Sequence, residues 1–271
     1  MNKTIFITGA SSGIGRATAF KFARDGWNVA ATMRSPEKET ELNQLDNVKV
    51  YKLDVTKMED IQLAVEHTLE DFGQIDVVLN NAAASSYGVF ESFSTQEIAG
   101  LFETNLMGLI HVCHTVIPHF REKQSGTIIN VSSLAGRVTY PLGTLYHGTK
   151  WAVEGFSESL IYEMESIGVK VKIIEPGAID TPLLKAAFAT LEKESPAPYE
   201  SIKNSFQNVM GSMASVPSPV DVVVDTIVKA ATDGSNQVRY IAGEDAKQAV
   251  AQRDSMDSES FIQGFRTLFL Q

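Results

Sequence analysis

The sequence predicts one α/β domain of the doubly wound, Rossmann type, with about seven parallel strands and helices on both faces. Three observations carry this expectation. Short apolar runs alternate with helix-length segments along most of the chain, as the right-handed crossovers of a parallel sheet require. The first run, Ile5-Phe6-Ile7, leads straight into Thr8-Gly9-Ala10-Ser11-Ser12-Gly13-Ile14-Gly15 and then a helical pattern through Ala17, Phe20, Phe22 and Ala23. No repeat or linker divides the chain, so residues 1–271 read as a single domain.

Composition supports a globular chain and narrows its partners. It is 44% apolar and 21% charged, enough for a sizeable core. A net charge of −10 argues against nucleic acid, whose binding needs Lys and Arg to replace phosphate counterions. No run approaches the roughly 18 apolar residues of a membrane helix, and the start lacks a signal-peptide layout. Cys113 is the single cysteine, so no intrachain disulfide forms, and a cytoplasmic protein is expected.

Taken in order, the strand, glycine turn and helix at the start form a geometry that holds a pyrophosphate on backbone N–H groups and a helix N-terminus. The spacing is G-x-x-x-G-x-G, and Thr8, Gly9, Ser11, Ser12, Gly13, Ile14 and Gly15 are the candidate contacts. A second strand, Trp27 to Thr32, ends in Met33-Arg34. An acidic residue at that point would bind ribose hydroxyls, whereas an Arg suits a 2′-phosphate. Arg34 therefore favours NADP(H), with NAD(H) open because Glu37 or Glu39 could serve a ribose. A third strand, Val48 to Leu53, leads to Asp54-Val55; Asp54 either accepts from an adenine amino group or caps the helix expected over Met58 to Phe72.

The fourth strand, Ile75 to Leu79, is followed by Asn80-Asn81-Ala82-Ala83, small enough to let a cofactor lie on the sheet edge. A long apolar helix is expected from about Thr95 to Phe120, with Asn105 inside it as a structural bridge or a water-holding site residue. His111, Cys113 and His114 are read as packing, and no metal site is assigned. After the strand Gly126 to Val131, Ser133 lies at the carboxyl end of the sheet, where open α/β folds bind ligands. The helix from about Gly143 to Ile167 carries Tyr146 and Lys150 four apart, on one face. A nearby ammonium is expected to lower the phenol from its ordinary value of about 10. Gly148 and Gly155 suggest close approach by a backbone or ligand. The strand Val169 to Ile174 ends in Glu175-Pro176-Gly177-Ala178-Ile179-Asp180-Thr181, with Thr181 placed to donate to a carboxamide or phosphate. Residues 183–219 lose clear periodicity and are read as a substrate lid; Asp221 to Ala231 is a helix, Val238 to Ile241 a last strand, and 244–271 a helical extension.

Together Thr8-Gly9-x-x-x-Gly13-x-Gly15, Asp54, Asn80-Asn81-Ala82, Asn105, Ser133, Tyr146-x-x-x-Lys150, Pro176-Gly177 and Thr181 resemble the short-chain dehydrogenase/reductase family over essentially the whole chain. Ala83 departs from the glycine usual after Asn-Asn-Ala. The resemblance implies an NADP(H)-dependent ketone or hydroxysteroid reductase. In it Tyr146 is the general acid or base, Lys150 tunes it and holds the nicotinamide ribose, Ser133 polarises the carbonyl, and Asn105 keeps a water in a proton relay. It also implies cofactor contacts from Val55, Asn81, Ala82, Ala83, Pro176, Gly177, Ile179 and Thr181. Tyr87, Leu142 and Phe188 are the candidate substrate wall. The expected partners are a small carbonyl or alcohol substrate and further copies of the chain, as a homodimer or homotetramer. An NAD-linked alcohol dehydrogenase working in oxidation and a non-catalytic dinucleotide sensor are the competing expectations.

Overall fold

In the computed structural model, which describes residues 2–212 and 217–270, short buried runs become a seven-stranded sheet and the periodic segments its crossovers. The strands are β1 (Thr4–Ile7), β2 (Asn28–Met33), β3 (Val48–Lys52), β4 (Val77–Asn80), β5 (Gly126–Val131), β6 (Val169–Pro176) and β7 (Arg239–Ala242). Every pairing is parallel, in the order β3-β2-β1-β4-β5-β6-β7. The helices are α1 (Gly13–Arg24), α2 (Met58–Phe72), α3 (Thr95–Phe102), α4 (Gly108–Lys123), α5 (Thr144–Glu165), α6 (Pro182–Ala189), α7 (Glu200–Ser212), α8 (Asp221–Thr232), α9 (Glu244–Asp254) and α10 (Ser258–Phe269).

Period-2 alternation in the strands divides the core. Ile5, Ile7, Val29 and Ala31 face α1 and α8, while Phe6, Ala30, Val78 and Ile128 face α2, α4 and α5. Both faces are thus covered, the arrangement of a single doubly wound domain. The strand order reverses between β1 and β4, which opens a crevice at their carboxyl ends.

Two segments differ from the sequence expectation. The apolar helix expected over Thr95 to Phe120 is broken by a π-turn at Glu103–Met107, which separates α3 from α4 and places Asn105 at the break. Such turns concentrate at functional sites, because they take backbone groups out of the regular ladder. Residues 183–219 are more regular than their composition suggests: α6 and α7 occupy much of the segment, and 213–216 lie outside the described residues. Their prolines start or separate helices rather than preventing them, since Pro is compatible with a first helical turn. Among the described residues no helix is long and apolar enough to cross a membrane.

Candidate active site

The crevice between β1 and β4 is a cleft of about 260 Å³. Its lining includes Gly9, Ser11, Ser12, Gly13, Ile14, Arg34, Asp54, Val55, Asn81, Ala82, Ala83 and Thr181 from the candidate set. Met33, Leu53, Ala84, Thr104, Pro182 and Leu183 join them; Met33 falls at the expected ribose position and Leu183 at the start of the expected lid, while residue type marked none of the other four. The glycines are needed for shape. A Cβ on Gly15 would stand 2.4 Å from the Gly9 carbonyl oxygen, and one on Gly9 would stand 2.9 Å from the Ala82 Cα. The N-cap of α1, Ser12, makes no side-chain cap, and the first turn holds no acidic residue. Its N–H groups and the positive end of the helix therefore face the cleft, which fits a dinucleotide pyrophosphate.

The cleft floor is held by a reciprocal clamp. Thr8 Oγ1 accepts from the N–H groups of Asn81 at 3.0 Å and Ala82 at 3.1 Å. Asn81 Nδ2 donates to the carbonyls of Thr8 at 2.9 Å and Gly9 at 3.1 Å. Thr8 and Gly15 thus act from beneath the cleft. Gly177, just after β6, does not line this cleft; a Cβ there would collide with the Asp245 carboxylate that accepts from Ala178 N–H at 2.7 Å. Ile179 is buried in the core and itself forms an isolated parallel β-bridge with Ser218.

Arg34 is exposed at the rim of this cleft, and buried Met33 fills the position an acidic ribose ligand would take. Glu39, one of the alternatives for that role, is spent elsewhere. It pairs with Arg16 and accepts from the N–H groups of Glu41 and Leu42 at 2.8 and 2.9 Å, so it anchors its own loop. Burial raises its carboxyl, yet these bonds outweigh that and hold it below the usual range. Asp54 does not cap α2, whose N-cap is Lys57. It accepts instead from the Thr56 N–H and hydroxyl at 3.0 and 2.8 Å, in an Asx-turn beside the cleft. Thr181 caps α6, accepting from Leu184 N–H at 3.4 Å and donating to the Ile179 carbonyl at 3.3 Å.

Next to the cleft, the end of β5 and the first turns of α5 bring Ser133, Tyr146 and Lys150 together. Lys150 Nζ donates to the Val131 carbonyl at 2.8 Å, tying α5 to the strand end that precedes Ser133. It lies 5.7 Å from the Tyr146 ring centroid. Ser133 accepts from Ala135 N–H at 3.1 Å. Burial, and then Tyr87, push the Tyr146 phenol above its ordinary value, and the Ser133 hydroxyl pulls it back. This reverses the expected downward shift: Tyr146 is 8% exposed, and loss of water dominates. Burial also lowers Lys150, to about 8.

Asn105 uses its amide on the protein. Oδ1 accepts from Ala84 N–H at 2.7 Å, and Nδ2 donates to the Ala84 carbonyl at 2.8 Å and to Thr149 at 3.1 Å. It thereby joins the π-turn, the loop after β4 and α5. Among the described residues no other backbone closely approaches the two glycines. A Cβ on Gly148 would make ordinary contact with Phe102 at 3.5 Å, and Gly155 has open space.

Tyr87, Leu142 and Phe188 meet in a third apolar cluster with Tyr140, Phe206 and Phe269. The Tyr87 and Tyr140 hydroxyls are 2.8 Å apart, and Tyr140 packs edge-on against His147. Tyr140, Phe206 and Phe269 were not singled out in the sequence, since only tertiary packing carries α7 and α10 to this place. Leu142 has φ +62, a left-handed conformation costing a non-glycine residue about 1–2 kcal/mol. Its carbonyl accepts from Gly88 N–H at 2.8 Å and its side chain is buried, which holds it there. Cys113 is buried against Asn80, at 3.4 Å, consistent with packing.

Residues 3–192 match the sequence model of the short chain dehydrogenase family. An uncharacterized oxidoreductase of Schizosaccharomyces pombe is 40% identical over 230 residues, 85% of this chain and 96% of its own. A 3-ketodihydrosphingosine reductase of Bacteroides thetaiotaomicron is 35% identical over 177 residues, 65% of this chain and 64% of that one. The crystal structure of a short-chain dehydrogenase from Streptomyces avermitilis superposes with a TM-score of 0.83 at 32% identity, covering 98% of this chain and 95% of that one. Other structures of this fold hold NADP in one case and NAD in another. With a matching family model and close relatives along most of its length, the chain is an oxidoreductase and belongs to the short-chain dehydrogenase family.

Proposed function

We propose that the protein reduces an apolar ketone with NADPH, Tyr146 acting as the general acid. One observation carries the reading: Tyr146, Ser133 and Lys150 come together at the end of β5, beside a cleft shaped for a dinucleotide. The bound nicotinamide supplies the hydride. Ser133 orients the substrate carbonyl and donates toward its developing negative charge. Tyr146 gives its hydroxyl proton to the carbonyl oxygen. The Lys150 ammonium favours the phenolate that remains and offers donors to ribose hydroxyls. Asn105 keeps the π-turn in register with α5 through Thr149.

Three features support the finer choices. A phenol raised by burial stays protonated and ready to donate, which suits reduction rather than oxidation. Arg34 stands at the rim while Glu39 is committed to Arg16, which favours a 2′-phosphate over a bare ribose. The wall of Tyr87, Leu142, Phe188 and Phe206 suits an apolar substrate, and the Bacteroides relative is named as a 3-ketodihydrosphingosine reductase. In this reading α6 and α7 form a lid, pinned by Thr190 Oγ1, which bonds both the N–H and the carbonyl of Tyr87 at 2.8 and 2.7 Å. We further propose self-association through the α5 surface that exposes Trp151 and Tyr162, testable by light scattering.

The test is Tyr146→Phe, assayed with a panel of aliphatic and aromatic ketones. Turnover should fall by roughly 10²–10⁴, the usual worth of a positioned acid, with NADPH affinity kept within a few-fold. Undiminished reduction would sink the assignment. Higher kcat/KM with NADH would favour the NAD-linked reading, for which Glu37 remains exposed on the loop. Dinucleotide binding with no turnover of any carbonyl or alcohol would favour the sensor.

A further inference from the structure

Behind Lys150 lies a buried ionic cluster that the proposed chemistry leaves unused. Lys150 and Glu154 stand one turn apart on α5, 3% and 6% exposed, and so share a face. The Lys150 ammonium donates to a neutral carbonyl, that of Val131, which does not balance its charge. Arg239 Nε lies 3.1 Å from Glu154 and 3.2 Å from Glu175, so one nitrogen from β7 holds carboxylates from α5 and β6. Arg137 adds a contact to Glu175 at 3.3 Å and to Asp254 at 3.1 Å, and Arg239 reaches Glu158 at 2.6 Å. Among the described residues Glu175 Oε2 has no hydrogen-bond partner, while the Glu154 carboxylate is steadied by the buried Ser132 hydroxyl as well as by Arg239. A Cβ on Gly136 would lie 2.9 Å from Glu154 Cγ, so the preceding turn packs directly onto this side chain.

Burial raises the Glu154 carboxyl, and the Ser132 hydroxyl, Arg239 and Arg137 pull it back down, so a carboxylate held in this way can also serve a cation on its own helix face. Lys150 is the nearby cation that has no carboxylate in its own hydrogen bonds. Burial pulls Lys150 down and Glu154 is the group that pulls it back up. Glu175 is driven up to about 7 by burial and by Glu154, so it carries a proton through the acidic range and relieves the repulsion within the pair. A cleft of about 440 Å³ lined by Arg137, Trp151, Glu154, Glu158, Tyr162 and Arg239 lies over the cluster on this face of α5.

We propose that Glu154 is a positioning residue for the proton-transfer step, its carboxylate being the counter-charge that keeps the Lys150 ammonium protonated beside Tyr146. This rests on the role given to Tyr146 and Lys150 above. The charged and titratable groups around the pair are Tyr146, His147 and Glu158 on α5, Glu175 on β6, Arg239 on β7, Arg137 after the Leu134–Gly136 turn and Asp254 on α9. Tyr87 and Tyr140 stand beyond Tyr146. Burial keeps those three phenols and His147 neutral around pH 7, and the carboxylates beside Arg239 keep it charged. The neighbouring π-turn brings the uncharged Asn105.

The experiment is an NMR titration of the full chain labelled with ¹³C at the lysine ε-carbon, the Lys150 signal being assigned by its loss in Lys150→Gln. In Glu154→Gln its midpoint should fall from about 8 in the wild type by roughly one pH unit, the scale of a lost neighbouring charge. In Glu154→Asp, which keeps the charge, it should stay within a few tenths of a unit of the wild type. The alkaline limb of the rate of ketone reduction should move with the midpoint, through kcat more than KM. An unmoved midpoint in Glu154→Gln, or an equal fall in Glu154→Asp, overturns the counter-charge. A midpoint that moves while the rate profile stays fixed overturns the positioning role. A wild type that reduces no carbonyl would refute the proposed function alone, because the titration of the free protein still decides the counter-charge.

Discussion

Replacing Thr8 by Val tests whether the clamp under the cleft holds the dinucleotide site together. Val has the same shape, so the change removes an acceptor without opening a cavity. Thr8 is 1% exposed, and its Oγ1 satisfies the N–H groups of Asn81 and Ala82. Each buried donor left unpaired costs about 1–3 kcal/mol. Both sit in a partly buried strand end that water can reach in part, so roughly 2–4 kcal/mol together is expected, against a total stability of about 5–15 kcal/mol. Thr8→Ser keeps the hydroxyl and loses one methyl, costing about 1 kcal/mol. Urea unfolding followed by circular dichroism reads these losses. Calorimetric titration with NADPH should show Thr8→Val binding about tenfold more weakly, because the turn that shapes the floor loosens. A loss below about 1 kcal/mol in Thr8→Val, or a loss in Thr8→Ser as large as in Thr8→Val, would refute the argument.

Two further outcomes are expected. Arg34→Asp should weaken NADPH binding by roughly 10–100-fold, the worth of a charge-assisted contact to phosphate, and improve NADH; unchanged fluorescence titrations with both would remove Arg34 from the cofactor site. Lys172→Met should destabilise the fold, since Lys172 donates from a buried position to Asp233 at 2.7 Å and Tyr240 at 2.9 Å. The cost should be about 1–3 kcal/mol at neutral pH, because Asp233 keeps partial access to water. Burial raises Asp233, but the bonds from Lys172, Tyr240 and Ser235 outweigh it and hold the carboxyl well below its usual value. A depressed carboxyl contributes stability that is present above its unfolded value near 4 and lost as pH falls through the folded one. The gap between wild type and variant should therefore be widest at neutral pH and close on acidification, as thermal melts across pH would record. A gap that grows toward acid would contradict this assignment.

Much of the site was legible because its chemistry depends on local spacing. The glycine turn, Ser133 and the Tyr146-Lys150 pair each sit at a strand end or within one helical turn, and sequence distance there is spatial distance. Glu39 was left open as an alternative ribose ligand because nothing near it in sequence reveals that Arg16 folds back onto it. Asn105 was left open between bridge and water site, since the π-turn that directs its amide to Ala84 and Thr149 has no sequence signature here. The direction of the Tyr146 shift was wrong for a related reason: the Lys150 neighbour is local, but the burial that raises the phenol comes from packing.

The sequence by itself determined the parallel sheet, the dinucleotide turn and the candidate catalytic pair, because strand and helix periods and turn chemistry are local properties. Only the tertiary structure decided which side chains remain free to act. It spent Glu39 on Arg16, closed Tyr87, Tyr140, Phe206 and Phe269 into one wall, and set Glu154 and Glu175 from two elements against arginines from two others. Burial and the pairing of distant charges depend on how the whole chain packs, and they set the protonation on which the chemistry turns.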